Sequence, residues 1–447
     1  MPESVSERLA RFVIGTDFSS LPPEVVEAAK RCFLDWLGSA IAGSGEPPTR
    51  IMLRVAKELG GKSEATLIPD GSRSSPFLAA LVNAASSHTV EMDDLHQTSI
   101  LHPGAPIIPA VLAMAEREGS SGEEFLTALV VGYEVATRAG EAAGPSHYEF
   151  WHTTATCGTF GAAAAAGKLL GLGHEQLVSA LGSAGTQAAG LWEFLKDGAM
   201  SKQLHPAKAA ADGVLSALLA RRGFTAAREI FEGERGFLRA TSKAFDLEKL
   251  TKGLGEGFKI TETSFKVHAA CYHTHSSIDA ALALQKEHAL SPDRITKILV
   301  RPYPAALDLL EKVELSSPYA AKFHLPFCIA TALIYGEVGL EAFAPERLED
   351  PTILKLLPKI EVRREEAFAG SYPERWPSIV EVILEDGKTY EVMVEYVKGD
   401  FRNPLTWEEL AAKFHRLAGR SYPEERRAEL IERIGRLEQL TNMAAFF

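Results

Sequence analysis

Cysteine is scarce in this chain. The 447 residues contain 4, Cys32, Cys157, Cys271 and Cys328, and no two form a C-x-x-C pair, so no zinc ribbon or iron–sulfur motif is legible. Free thiols in a reducing cytoplasm are the expectation. Long apolar runs are missing as well: FLTALVVGYEVA, one of the most hydrophobic stretches, falls well short of the roughly 20 residues a bilayer requires. The opening MPESVSERLARF has no basic start followed by an apolar run, which predicts no signal peptide. Positive charge is in deficit, with 47 Lys and Arg against 59 Asp and Glu, a formal net charge of -12 and a pI near 5.6. Such a field repels phosphate backbones and excludes a nucleic-acid surface. No repeat of fixed period and no H-E-x-x-H spacing occurs, so the expectation is that no metal is held.

What is present is the balance of a folded globular protein, 46% hydrophobic and 24% charged, long enough for two or three domains. Up to about Gly223 most segments carry helical period separated by Gly, Pro and Ser clusters. Ser20 to Gly43 shows the pattern, opened by Pro22 and Pro23 and carrying Val25, Val26, Ala29, Phe33, Trp36 and Leu37 on one stripe. Pro76–Glu91, Ile107–Glu118, Glu123–Ala142, Ala155–Leu172 and Ala207–Arg222 repeat it with many alanines and glycines, which predicts closely approaching helices with little sheet. After about Lys259 come short β-branched runs, Ile295–Val300, Ile360–Arg363, Ser378–Leu384 and Thr389–Tyr396, the last two joined by the hairpin signal Asp386-Gly387. Two further helices close the chain, the first opened by a Thr406/Glu409 capping box. The predicted architecture is mostly α: a large all-helical domain from 1–259 and 401–447, with a smaller α+β lid domain at 260–400 inserted before the C-terminal helices.

Three histidines lie just ahead of apolar helical segments: His102 before Pro106, His152 before Ala155, and His205 directly before Pro206. A helix start offers unpaired N–H groups and the positive end of the macrodipole, a natural seat for a carboxylate. His102 and His152 are therefore the candidate acid–base residues, with Lys202, in the loop approaching the third helix start, as a candidate carboxylate holder. The cluster His88-Thr-Val-Glu91-Met-Asp93-Asp94-Leu-His96 reads equally as a solvated capping loop or as a functional wall. Near the start of the second domain, Cys271, His273 and His275 alternate. The helical pattern from Ser276 makes a strand there poor and an active-site loop better.

Taken in order, LPPEVVEAAKRCFLDWLGSAIAG, HPGAPIIPAVLAMAE, GYEVATRAG, SKQLHPAKAA and FRNPLTWEELAAKF resemble the MmgE/PrpD family over nearly the whole chain. That family includes 2-methylcitrate dehydratases, cis-aconitate decarboxylases and an iminodisuccinate epimerase. The resemblance implies a homodimer and a cofactor-free site between a helical domain and a lid, binding a small anionic carboxylate. It implies that His102, His152, Lys202 and Lys266 surround the substrate, with Glu91, Asp93, Asp94 and His96 as another wall and His205, Cys271 and His275 as further binding residues. Glu91 stands where many members carry Asp, and Leu95 where they carry a hydroxyl residue. Cys271 and Phe327 replace the His and Tyr of the decarboxylases, which lowers the decarboxylase reading; dehydration of a citrate-like 2-hydroxy acid is the expectation, with epimerisation or decarboxylation of a related carboxylate as the alternative. The rival enzyme class is a metal-dependent lyase or hydrolase built from Asp93, Asp94, His96 and His102, or from Cys271, His273 and His275. A passive carboxylate-binding scaffold is the non-enzymatic alternative.

Overall fold

The computed structural model describes residues 3–447. The chain divides into two compact units, one comprising the described residues up to Phe194 together with 200–264 and 406–447, the other 195–199 and 265–405.

The first unit is built from helices α1 (Val5–Gly15), α2 (Pro23–Ala42), α3 (Pro47–Leu59), α4 (Pro76–His88), α5 (Gly104–Glu118), α6 (Gly122–Tyr148), α7 (Thr153–Leu169) and α8 (His174–Gln187). It continues with α10 (Ser201–Arg221) and the short α11 (Phe237–Thr241), while the turn α9 (Phe194–Asp197) that comes before α10 in the chain belongs mostly to the second unit. The stripe expected on α2 is internal: Val25, Ala29, Phe33, Trp36 and Leu37 are buried, while Val26 lies only partly covered. The alanine-rich segments α5 and α7 bury nearly every apolar residue, and α4 and α10 bury all their alanines while Leu204 of α10 stays 46% exposed.

Glycine sets the closest approach. A Cβ on Gly161 would stand 2.6 Å from the Gly132 carbonyl oxygen, and one on Gly132 2.7 Å from Ile107 Cγ2. Two bare backbones are what let α6 and α7 touch there.

The helical unit is not free of strands. β1 (Ala65–Thr66) pairs antiparallel with β2 (Arg73–Ser74), and β3 (Leu95–His96) with β4 (Thr263–Ser264). These two-residue ladders have no alternating apolar pattern, so nothing in the sequence marks them.

The C-terminal helix Trp407–Ala418 opens on the expected capping box, the Thr406 hydroxyl accepting from the Glu409 N–H. It packs on α2, where a Cβ on Gly38 would meet Phe414 Cδ2 at 3.2 Å. Lys413, 2% exposed, pairs with the fully buried Asp35 and donates to the Met92 carbonyl at 2.6 Å. Glu424–Gly435 follows as a second amphipathic helix.

The second unit carries one mixed sheet of four strands, β5 (Ile295–Pro302), β6 (Ile360–Val362), β7 (Ser378–Leu384) and β8 (Thr389–Val394), in the order β6-β5-β7-β8. β5 runs parallel to β6 and antiparallel to β7. β7 and β8 form the expected hairpin, with Gly387 at φ +81 in its turn. Residues along β7 alternate buried and half-buried, as a strand with one covered face should. Helix α12 (His275–His288) packs on this sheet, its Ser277 hydroxyl 2.7 Å from that of Ser378 on β7.

Candidate active site

The loop from His88 to Gly104 is buried and densely charged, with every residue from His88 to Gln97 inside. That overturns the solvated-loop alternative. Polar groups withdrawn from water need partners of their own, and each acidic residue of the loop has a different one. Glu91 pairs with Lys202, both 3% exposed or less. Asp93 Oδ2 lies 2.6 Å from His88 Nδ1 and 3.6 Å from His102 Nδ1. Asp94 accepts from the Gly104 N–H at 2.9 Å and from the Tyr133 hydroxyl at 2.6 Å. Two residues hold left-handed backbone, Glu91 at φ +59 and Ile100 at φ +51. Such conformations cost about 1–3 kcal/mol each and persist where surrounding structure imposes them, commonly at functional sites.

Asp94 is placed differently from its expected role as a substrate-facing wall. Its carboxyl sits at the first N–H of α5, an N-terminal anchor for the helix that His102 precedes. Burial pushes its pKa up to about 8, against the lowering effect of the Tyr133 hydroxyl, and Asp35 and Asp93 raise it further.

Four imidazoles converge. His88 and His102 have ring centres 5.3 Å apart, His88 and His152 5.6 Å, His102 and His152 6.5 Å, and His152 and His205 5.3 Å. His152 is itself the N-cap of α7, and its N–H donates to the Gly190 carbonyl at 2.9 Å. Gly190, at φ +154, brings the chain so close that a Cβ would fall 2.5 Å from that of Ala155. Trp192 follows and lies against the His152 ring at 4.7 Å. His102 is tied to the first turn of α7, its N–H donating to the Thr154 hydroxyl at 3.1 Å.

Lys202 and His205 occupy the first turns of α10. The helix begins at Ser201, not at Pro206 as expected, and Pro206 is its sixth residue. A proline so near the start removes only one i→i−4 bond, so the turn Ser201–His205 forms ahead of it and carries both side chains inward.

These contacts fix proton positions. The Asp94 carbonyl can only accept, so the bond of 2.6 Å it makes with His102 puts a proton on Nδ1 and leaves Nε2 as the lone-pair nitrogen of the neutral ring. Asp93 likewise favours the proton on His88 Nδ1. His152 and His205 meet Nδ1 to Nδ1 at 3.1 Å, which admits one shared proton. Both are driven toward the neutral form. Burial first, then the positive charge of His205, His88, Lys202 and His102, holds His152 well below the usual histidine range. Burial, His88 and Lys202 bring His205 to about 4.

His96 has other company. Its Nδ1 lies 2.9 Å from the Ser99 hydroxyl and its Nε2 3.5 Å from Glu262. His96, Glu141 and Glu262 are the group of three potential metal ligands found among the described residues. The Lys259 ammonium stands 3.0 Å from Glu141 and 3.4 Å from Glu262, supplying the positive charge those carboxylates need. The rival set Asp93, Asp94, His96 and His102 is spread over separate partners, with Asp94 committed to α5 and Tyr133.

In the second unit Lys266 is fully buried. The Cys271 N–H donates to the Lys322 carbonyl at 2.9 Å. The segment Tyr272–Thr274 is a single 3-10 turn running into α12, so Cys271, His273 and His275 do not alternate along a strand. His275 Nε2 donates to the Ala270 carbonyl at 3.2 Å, and His268 Nε2 lies 2.6 Å from Asp279. His273 is bonded to the Tyr303 hydroxyl, stacked on Trp376 at 4.4 Å, and brought by burial to about 3.

The structure thus gathers His102, His152, His205, Lys202, Glu91 and Asp93 in one buried cluster. His88, Trp192 and Gly190 belong with them; the sequence placed His88 at the head of the polar cluster without giving it a role of its own, and singled out neither Trp192 nor Gly190. His88 was visible only as the last residue of an alanine-rich helix and the first of a polar run.

No helix among the described residues is long and apolar enough to cross a membrane. A relative named cis-aconitate decarboxylase-like protein, from Aspergillus oryzae, is 30% identical over 95% of this chain and 92% of its own length. The Homo sapiens protein named cis-aconitate decarboxylase is 27% identical over 98% of this chain and 93% of its own. A mitochondrial 2-methylcitrate dehydratase from Yarrowia lipolytica is 22% identical over 84% of this chain and 76% of its own. Residues 7–250 match the MmgE/PrpD N-terminal domain, and 268–438 match the MmgE/PrpD C-terminal domain. With the two matches together spanning nearly the whole polypeptide, the chain belongs to the MmgE/PrpD family.

Proposed function

We propose that this protein is a lyase acting on a small di- or tricarboxylic acid, and that its reaction is dehydration of a citrate-like 2-hydroxy acid. The observation that carries the reading is the four-imidazole cluster beside the buried Lys202–Glu91 pair. Removing a proton from carbon next to a carboxylate needs a neutral base. The resulting enediolate needs a nearby cation, and the departing hydroxide needs a proton. His102, with its proton held at Nδ1, offers Nε2 as the base. Lys202 faces the developing negative charge once a substrate carboxylate displaces Glu91. The His152–His205 pair, meeting Nδ1 to Nδ1 at 3.1 Å, is assigned the protonation of the leaving group. The proton taken from carbon passes within the imidazole cluster to that pair and returns in the water released, so the step is balanced by side chains without a cofactor.

Decarboxylation of a cis-aconitate-like acid is the second reading, favoured by the names of the relatives at 27–30% identity. Loss of carbon dioxide leaves the same kind of carbanion, and one proton delivered to it completes the reaction. Four buried cysteines outside any disulfide fit a cytoplasmic location, and a homodimer is the expected assembly. Incubation with citrate, 2-methylcitrate, cis-aconitate, tartrate and aminodicarboxylates, followed by proton NMR, tests the proposal. An unsaturated acid formed from a hydroxy acid supports dehydration, and release of carbon dioxide from cis-aconitate supports the second reading. No turnover of any carboxylate overturns both.

A further inference from the structure

Asp93 and His88 form a buried pair that the acid–base scheme above leaves without a task. The side chains are 1% and 0% exposed, Asp93 Oδ2 is 2.6 Å from His88 Nδ1, and His88 Nε2 has no hydrogen-bond partner among the described residues. A buried, unsatisfied ring nitrogen is costly, by about 1–3 kcal/mol, and calls for a reason. Its position suggests one. The His88 and His102 rings stand 5.3 Å apart, the same centre-to-centre separation at which His152 and His205 bring two nitrogens to 3.1 Å. His88 also lies within 5.6 Å of both His102 and His152, which are 6.5 Å from one another.

We propose that His88, oriented by Asp93, is the proton store of the imidazole cluster, a positioning residue that acts through His102. The inference rests on the proposed lyase reading for its turnover consequences, though not for the state of the pair itself. In the step, the proton that His102 Nε2 takes from carbon passes to His88 Nε2. The N–H bond at His102 breaks, one forms at His88, and the lone pair of His102 is restored. The imidazolium so formed is neutralised by the Asp93 carboxylate through the Nδ1–H bond already in place. The same Nε2–H then surrenders the proton to the His152–His205 pair for delivery to the departing hydroxide, and no outside acid is consumed. Asp93 suits this role because its one carboxylate lies 2.6 Å from His88 and 3.6 Å from His102, so negative charge is available to whichever ring is protonated. The charged and titratable groups around His88 are Asp93 and Glu91 on its own loop, His102 ahead of α5, His152 at the start of α7, and Lys202 and His205 on α10. Lys202 is matched by Glu91, which leaves Asp93 as the counter-ion for a proton on His88 or His102.

The test combines histidine-selective 15N NMR on the wild-type protein with kinetics of His88→Gln and Asp93→Asn. In the free wild-type protein His88 is expected to show a strongly deshielded Nδ1 proton that disappears in Asp93→Asn. Absence of that resonance overturns the proposal whether or not any carboxylate is turned over. His88→Gln is expected to lower kcat by about 10²-fold with KM within twofold, to change the shape of the pH–rate profile, and to be rescued in part by rising concentrations of a small imidazole or amine buffer. A merely structural role would not give buffer rescue. An unaltered kcat and pH profile in His88→Gln overturns the proposal, as does a loss of kcat that no buffer concentration restores. Should His88→Gln not fold, the same kinetic readouts on Asp93→Asn decide.

Discussion

Lys413 donates to the carbonyl of Met92 at 2.6 Å, so a helix from the end of the chain grips the residue between Glu91 and Asp93. Because Lys413 also neutralises the fully buried Asp35, Lys413→Met strands a carboxylate in the core. Breaking such a pair from one side costs about 3–5 kcal/mol. Urea denaturation should show that loss, and the double variant Asp35→Asn/Lys413→Met should recover a substantial part of it. Turnover of Lys413→Met should fall as well, since the Met92 anchor is gone.

Replacing His102 or His152 by Gln should lower turnover by about 10²- to 10⁴-fold while the far-ultraviolet circular dichroism spectrum stays native. Glutamine keeps a polar side chain of similar reach and removes only the ring nitrogen that carries the proton. Wild-type rates in both variants would remove the acid–base assignment.

Acid should act on His147 and Asp94 with opposite sign. His147 is hydrogen-bonded by Thr156 and Thr241 and brought by burial from 6.5 to about 4. Its stabilising contribution is therefore complete above about pH 6.5 and is lost as pH falls from there toward 4. Asp94 is raised from 3.8 to about 8, so its contribution is complete below pH 3.8 and is lost as pH rises toward 8. Thermal melts across this range should show the advantage of wild type over His147→Asn shrinking on acidification. The advantage over Asp94→Asn should grow. Parallel curves for the two variants would contradict the shifts.

Gly161→Ala should destabilise by about 1–3 kcal/mol through overpacking, because the new methyl would press on the Gly132 carbonyl oxygen. Gly15→Ala meets nothing within 4 Å and serves as the control. Equal melting temperatures for the two variants would show that α6 and α7 can part freely there.

The helical course of the first unit was legible because its apolar residues repeat at helical spacing, as on α2, and its ends carry Pro, Ser or Thr, as at Ser75 and Thr406. The hairpin at Gly387 was legible from its turn and its alternating flanks. The dipeptide strands were not, since two residues carry no period. Among the candidate residues, Lys202, His205, His102 and His152 announced themselves by standing near helix starts. His88 did not: it ends a helix, and its meaning comes from Asp93 folding back five residues later. Nor could spacing reveal that Asp94 turns to α5 while its neighbour Asp93 turns to the imidazoles, because that choice is made by the local backbone and by Tyr133.

The four thiols face inward, Cys32 and Cys157 in the first unit and Cys271 and Cys328 in the second. Burial raises Cys32 and Cys328 well above the ordinary thiol range and Cys157 to about 12. An alkylating reagent attacks thiolate, so the folded protein should stay unlabelled while any opening exposes reactive sulfur. Each half of the polypeptide thereby carries two native reporters of its own breathing, and mass-resolved labelling would time the opening of one half separately from the other with no engineered probe.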